Sequence, residues 1–153
     1  MRHHTKDKGD QGLGYIIGDL VRSGIQVALP ISEHLPFDLV AVSEEGILRR
    51  VQVKYRAADR GAVECRLGSF WADRNGTHHK AFDARLYDAL ALYCPDPVLC
   101  CYVRVDELPT DTVTLRIDPP KNGQAKGVRL ASDFTDPHRI FCAGSSVDRA
   151  AAF

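Results

Sequence analysis

Three residues in one short stretch have the types and spacing to share a reaction. Asp38 follows Pro36-Phe37, and Gln52 and Lys54 flank Val53 in the run Gln52-Val53-Lys54. A carboxylate and a carboxamide oxygen suit a magnesium ion, which keeps several waters and needs only one or two protein side chains. Such an ion polarises a phosphate and makes hydroxide available at neutral pH. An ammonium beside it could orient the attacking water or offset charge on a phosphorane-like transition state. The chemistry this trio suits is phosphodiester hydrolysis. Each residue also has a plainer use, since an Asp at a strand start serves turns and a Gln-x-Lys in a strand makes a solvated face.

The elements around the trio must bring it together. Apolar-rich segments 37–43 and 47–55 flank the polar turn Glu44-Glu45-Gly46, which is a hairpin signal. Residue 45 is the midpoint of 38 and 52, so a symmetric hairpin sets Asp38 across from Gln52. Opposed Cβ atoms lie roughly 5 Å apart. Alternation along the strand then turns Lys54 to the same face.

Upstream, Leu13, Ile16, Ile17, Leu20 and Val21 mark one helical face, with Asp10 as a candidate N-cap and Gly24 as the stop. Gly14 and Gly18 inside that helix suggest a close neighbour. Ile25 to Leu29 reads as a short strand. Downstream, Gly61 to Leu67 reads as a third antiparallel strand and 68–80 as a loop. Tyr87 to Tyr93, Val98 to Val105 and Thr112 to Ile117 read as strands, Val128 to Phe134 as a short helix, and the chain from Gly144 onward as a frayed end. One helix, a meander and further strands predict an α+β fold in a single domain, 1–153, with a mixed sheet and a helix on one face.

Twenty basic and 20 acidic residues cancel, so a nucleic-acid partner is not announced by bulk charge. Locally the balance differs. Arg49, Arg50, Lys54, Arg56, Arg60, Arg66, Arg74, Lys80 and Arg85 face only four acidic residues over 49–85. Arg116, Lys121, Lys126 and Arg129 face Asp118 alone. A β-ribbon of 50–67 could enter a major groove, with phosphate contacts making affinity salt-dependent, and Asn122 and Gln124 could read bases, adenine most naturally. Phe70 and Trp71 could stack on a base, form a subunit contact or pack in the core. His78-His79 offers metal ligands, although adjacent histidines on such a loop more often face solvent or phosphate.

No run of about 18 apolar residues is present, so no membrane-spanning helix is expected. The opening residues lack a signal peptide's apolar core, which predicts a cytoplasmic protein. Five cysteines without a CxxC pair predict reduced thiols rather than a disulfide framework or zinc knuckle, and Asn75-Gly76-Thr77 reads as a turn.

Pro36-Phe37-Asp38 followed by Gln52-Val53-Lys54 resembles the PD-(D/E)XK nuclease motif, with Gln52 in place of the usual acid. Lys8-Gly9-Asp10-Gln11-Gly12, Pro30-Ile31-Ser32-Glu33-His34, Tyr87-Asp88 with Leu92-Tyr93, and Leu115-Arg116-Ile117 before Lys121-Asn122-Gly123-Gln124 extend the likeness over most of 8–134. Together they resemble the small homing endonucleases encoded in cyanobacterial group I introns. The resemblance implies a restriction-endonuclease-like core and site-specific double-strand cleavage of DNA. It also implies Mg²⁺, with Mn²⁺ as a substitute, no small-molecule cofactor, and a homotetramer on a long pseudo-palindromic target. By position, Asp38 becomes a metal ligand, Gln52 fills the second ligand position, Val53 offers its backbone carbonyl and Lys54 is the catalytic lysine. Many relatives carry a Glu on the first helix near where this chain has Leu13; Asp10 is the nearest acid and Glu33 another. Two alternatives stand beside this reading: a structure-specific nuclease resembling junction resolvases, and a DNA-binding module whose site is inactive.

Overall fold

The computed structural model describes residues 4–142, so the expected fraying from Gly144 onward lies outside the described residues. The first helix, α1 (His4–Arg22), begins earlier than Asp10. Asp10 therefore lies inside the helix and does not cap it. The C-terminal stop is where the glycine pattern put it: Gly24 has φ +80°. The Gly24 amide donates to the Val21 carbonyl and the Ile25 amide to Leu20, closing the last turn in a Schellman motif.

Nine strands follow: β1 (Gln26–Ala28), β2 (Leu39–Val42), β3 (Leu48–Tyr55), β4 (Ala62–Arg66), β5 (Ser69–Asp73), β6 (Gly76–Lys80), β7 (Ala89–Pro95), β8 (Val98–Arg104) and β9 (Thr112–Arg116). The main sheet has the order β1-β2-β3-β7-β8. Only the β3–β7 pairing is parallel, which makes the sheet mixed. The short helix expected at 128–134 is a single 3₁₀ turn, Ala131–Phe134, followed by another at Pro137–Phe141. Pro137 holds the preceding Asp136 in an extended conformation, which stops the first turn from continuing into an α-helix.

The sheet divides two apolar layers. On one face Val51, Ala89, Ala91, Tyr93 and Tyr102 meet Ile16 and Leu20 of α1. Each fully buried Ile or Leu there contributes about 1.5–3 kcal/mol of transfer free energy. Gly12 brings the helix against the end of β3, where an added Cβ would lie 3.4 Å from Tyr55 Cβ. Gly14 and Gly18, by contrast, have nothing within 4 Å and line a groove of about 680 Å³ between α1 and edge strand β8. The close approach belongs to Gly12, not to the two glycines the helical pattern singled out. On the other face Leu90, Leu92, Cys101 and Val103 pack against Val63, Cys65, Val113 and Leu115. Those last four come from β4 and β9, which form their own two-stranded sheet.

Two expectations are corrected by this pairing. β4 joins β9 rather than extending the β2–β3 meander. Residues 50–67 therefore form no free ribbon, because β3 lies inside the main sheet and β4 covers its core. The segment read as a loop, 68–80, is instead a two-stranded ribbon, β5–β6, turning at Arg74-Asn75. Its strand character was masked by polar residues on both faces, since no core side selects an apolar alternation.

Candidate active site

The hairpin folds in the expected register. Leu39 pairs with Val51 and Val40 with Arg50, so the next pair outward is Asp38 with Gln52. Leu39 and Val51 point into the α1 layer. Alternation therefore turns Asp38, Gln52 and Lys54 to the opposite face, the side covered by β4 and β9.

Asp38 is fixed at the end of β2 by two backbone contacts. Its amide donates to the Val51 carbonyl at 2.9 Å, and its Oδ2 accepts from the Val53 amide at 2.6 Å. The exposed carboxylate keeps Oδ1 for another partner. On the far edge of β3 the Arg50 carbonyl accepts from the Asp88 amide, so even-numbered residues of β3 bond towards β7. The odd-numbered Val53 thus turns both its backbone groups towards the β2 side, past the strand's end. Its carbonyl and the Asp38 carboxylate share that corner.

Gln52 and Lys54 open onto a cleft of about 250 Å³. Arg56, Arg66 and Lys80 line the same cleft, giving it four cationic side chains with Lys54. Asp83 also lines it, and the side-chain hydrogen bonds of Arg85 hold that carboxyl down to about 2. Cys65 sits beneath: burial pushes its thiol up, while Arg56 and Lys54 nearby pull it down. Tyr87 forms part of the lining at 3% exposure, and its hydroxyl has no hydrogen-bond partner among the described residues. Sequence reasoning gave Tyr87 no role in the site, since a tyrosine at a strand entrance reads as core.

The donors here suit a hard cation of low ligand demand. One carboxylate, one carboxamide and one backbone carbonyl are all oxygen ligands, and magnesium is commonly held by one or two carboxylates plus substrate phosphate. Among the described residues no cluster of three or more His, Cys, Asp or Glu is placed to hold a metal. Leu13, like Val53 and Tyr55, packs against the core on the α1 side of the sheet. Asp10 is exposed on α1, three residues before Leu13 and about 60° from it around the helix. Glu33 is exposed in the loop between β1 and β2.

The basic residues separate into groups. Arg56, Arg66 and Lys80 join Lys54 in the cleft. Arg49 lies on the α1 side, with Nε donating to the Ile140 carbonyl at 3.2 Å. Arg50 is committed to Asp88 through Nε at 3.1 Å and Nη2 at 3.0 Å. Arg60, with φ 48°, holds the turn before β4. Arg74 is exposed at the ribbon tip, and Lys121, Asn122, Gln124 and Lys126 sit in an exposed loop where the Gln124 amide donates to Asn122 Oδ1 at 3.2 Å. His78 and His79 hold no metal cluster; they stack on Trp71 and Phe70.

A comparison with curated proteins finds no match. Among solved structures the fold is similar to a bacterial homing endonuclease, I-Ssp6803I, with a TM-score of 0.71 and 23% identity over 86% of this chain and 88% of that one. The family model described as PD-(D/E)XK endonuclease matches residues 3–137. With Asp38, Gln52 and Lys54 gathered on one sheet face beside a cationic cleft, the chain belongs to the PD-(D/E)XK endonuclease family.

Proposed function

We propose that this protein is a site-specific DNA endonuclease that makes Mg²⁺-dependent double-strand breaks, in the manner of an intron-encoded homing enzyme. The observation that carries the proposal is the shared face of Asp38, Gln52 and Lys54, the last two opening onto a cleft lined by Arg56, Arg66 and Lys80. When bound, a divalent cation would polarise the scissile phosphate and supply hydroxide at neutral pH. Asp38, Gln52 and the Val53 carbonyl would hold it, and Mn²⁺ would substitute. The Val53 amide keeps the Asp38 carboxylate from rotating away. Lys54 orients the attacking water and offsets charge growing on the phosphate. Arg56, Arg66 and Lys80 seat the backbone of a DNA duplex, which makes binding salt-dependent.

A homotetramer acting in the cytoplasm completes the proposal. Its support is the family likeness and the apolar side chains left exposed beside the α1–β8 groove, Tyr15, Val21 and Val98. No described helix is long and apolar enough to cross a membrane. Sedimentation of the free protein checks the oligomer.

Cleavage of a duplex selected from a random library tests the main claim. Asp38→Ala and Lys54→Ala should each lower the cutting rate by at least about 100-fold while duplex affinity persists. A wild-type protein that binds its selected duplex yet never cuts it with Mg²⁺ or Mn²⁺ leaves a binding module, and the enzyme reading is then wrong.

A further inference from the structure

No residue of the β5–β6 ribbon belongs to either core cluster. All five residues of β5 are exposed, and four of five in β6. A lone two-stranded hairpin is marginally stable at best in water, so a ribbon outside both core clusters gains from a partner. Its composition is nevertheless specific. Trp71 stacks on His78 across one face, at 5.2 Å between ring centroids and 21° between planes. Phe70 stacks on His79 across the other, at 4.4 Å and 28°. Asp73 Oδ1 lies 3.0 Å from His78 Nε2, and the Arg66 guanidinium lies 5.4 Å from the Phe70 ring centre. Each face thus presents an imidazole whose plane is held by an aromatic ring.

The root of the ribbon is continuous with the candidate active site. Gly68, Ser69, Lys80 and Ala81 line the cleft that Gln52 and Lys54 open onto. The two strands cross there so closely that a Cβ on Gly68 would lie 2.7 Å from the Lys80 carbonyl oxygen. From that root, five residues per strand reach about 16 Å outward at 3.2–3.4 Å per residue.

We propose that the β5–β6 ribbon reads base edges in a DNA major groove while the cleft at its root holds the scissile phosphate. The proposal rests on the DNA-cleaving function above and names its specificity element. A β-layer with its side chains is about 10 Å thick, and a major groove about 12 Å wide admits a two-stranded ribbon. Lying along the groove, the ribbon turns one face to the base edges on its floor, and Trp71–His78 and Phe70–His79 give each face a reading pair. Charge points the same way: Arg66 and Lys80 stand at the root and Arg74 at the tip, and Asp73 lies 3.0 Å from His78. His78 Nε2 meets Asp73, so His78 offers Nδ1 and His79 a ring nitrogen to purine N7 or the neighbouring exocyclic group, and Trp71 and Phe70 fix the direction in which they are offered.

The test uses the full chain and a duplex that the wild-type protein selects from a random library, alongside a scrambled duplex of equal length. The variants are Trp71→Ala/His78→Ala and, for the other face, Phe70→Ala/His79→Ala. Affinity for the selected duplex should fall about 10- to 100-fold in at least one of the two, with loss of purine N7 protection against dimethyl sulfate. Affinity for the scrambled duplex, and its dependence on salt, should stay unchanged. Equal weakening on both duplexes, an unchanged preference for the selected one, or a change in the oligomeric mass of the free protein overturns the ribbon's role. Ribbon variants that recognise the selected duplex normally sink this inference alone. A wild-type protein that selects no duplex sinks the DNA-cleaving function as well.

Discussion

Removing the Asp88 carboxylate should cost the fold about as much as any single change near the site. Asp88 stands at the entrance of β7, level with Arg50 of β3, and its carboxylate takes three hydrogen bonds from that residue. The Arg50 amide donates to Oδ2 at 2.7 Å, Nε to Oδ2 at 3.1 Å and Nη2 to Oδ1 at 3.0 Å. The ionic pair is partly solvated, with side-chain exposures of 40% and 33%, so it contributes only up to about 1 kcal/mol. The amide matters more, because Asp88→Ala leaves a partly buried donor without its acceptor, which costs about 1–3 kcal/mol. Together these predict a loss of about 2–3 kcal/mol at pH 7, or a Tm drop of roughly 4–12 °C for a chain of this size. Asp88→Asn, which keeps an acceptor oxygen, should recover part of it.

The pH dependence gives the same bond a second signature. Burial works to raise the Asp88 carboxyl, and the Arg50 side-chain and backbone hydrogen bonds more than offset it, leaving the group below its ordinary value. A carboxyl depressed by folding stabilises fully above its unfolded pKa of about 3.9 and loses that contribution as pH falls through the folded value. Urea unfolding of wild type and Asp88→Ala between pH 7 and pH 3 should therefore show a gap that is constant above about pH 5 and narrows below pH 4. A gap under about 0.5 kcal/mol at pH 7, or one that stays constant at acid pH, would refute the clamp.

Further outcomes follow from the same coordinates. Tyr87→Phe should stabilise the protein by up to about 1 kcal/mol in urea, because the lost hydroxyl is buried without a partner; a clear destabilisation would reveal one. Gly68→Ala should loosen the ribbon root, where the new Cβ meets the Lys80 carbonyl oxygen. Amide exchange over 69–80 should then accelerate while global stability changes by less than about 1 kcal/mol, and a large global loss would show that the ribbon supports the core. Gly14→Ala and Gly18→Ala each meet open space in a helix interior and should each add about 0.8–1 kcal/mol by thermal or urea unfolding. If either variant destabilises the oligomer, the α1–β8 groove is occupied in the assembled protein.

Much of the site was legible because local rules governed it. The hairpin register followed from turn chemistry at Glu44-Glu45-Gly46, and strand alternation then decided that Asp38, Gln52 and Lys54 share a face. The helix stop at Gly24 was equally local, since only a glycine tolerates that positive φ without strain. The helix start was not. Asp10 looked like a cap, yet Gly12 docking on Tyr55 rewards an earlier first turn, and residues from His4 onward join the helix. Basic residues were counted correctly as an excess, but their direction was not. Arg49 and Arg50, adjacent in sequence, point to opposite faces of β3 and serve different partners.

By itself, then, the sequence determined the α+β class, the hairpin and its trio of chemically matched side chains, because each depends on contacts between residues near in the chain. Tertiary structure alone decided that β4 pairs with β9 and that Arg56, Arg66 and Lys80 converge on Lys54. It also turned a polar stretch with no apolar alternation into a projecting ribbon rooted at that cleft. Such placements depend on long-range pairing, whose energy comes from packing one layer on another and leaves little trace in any local pattern.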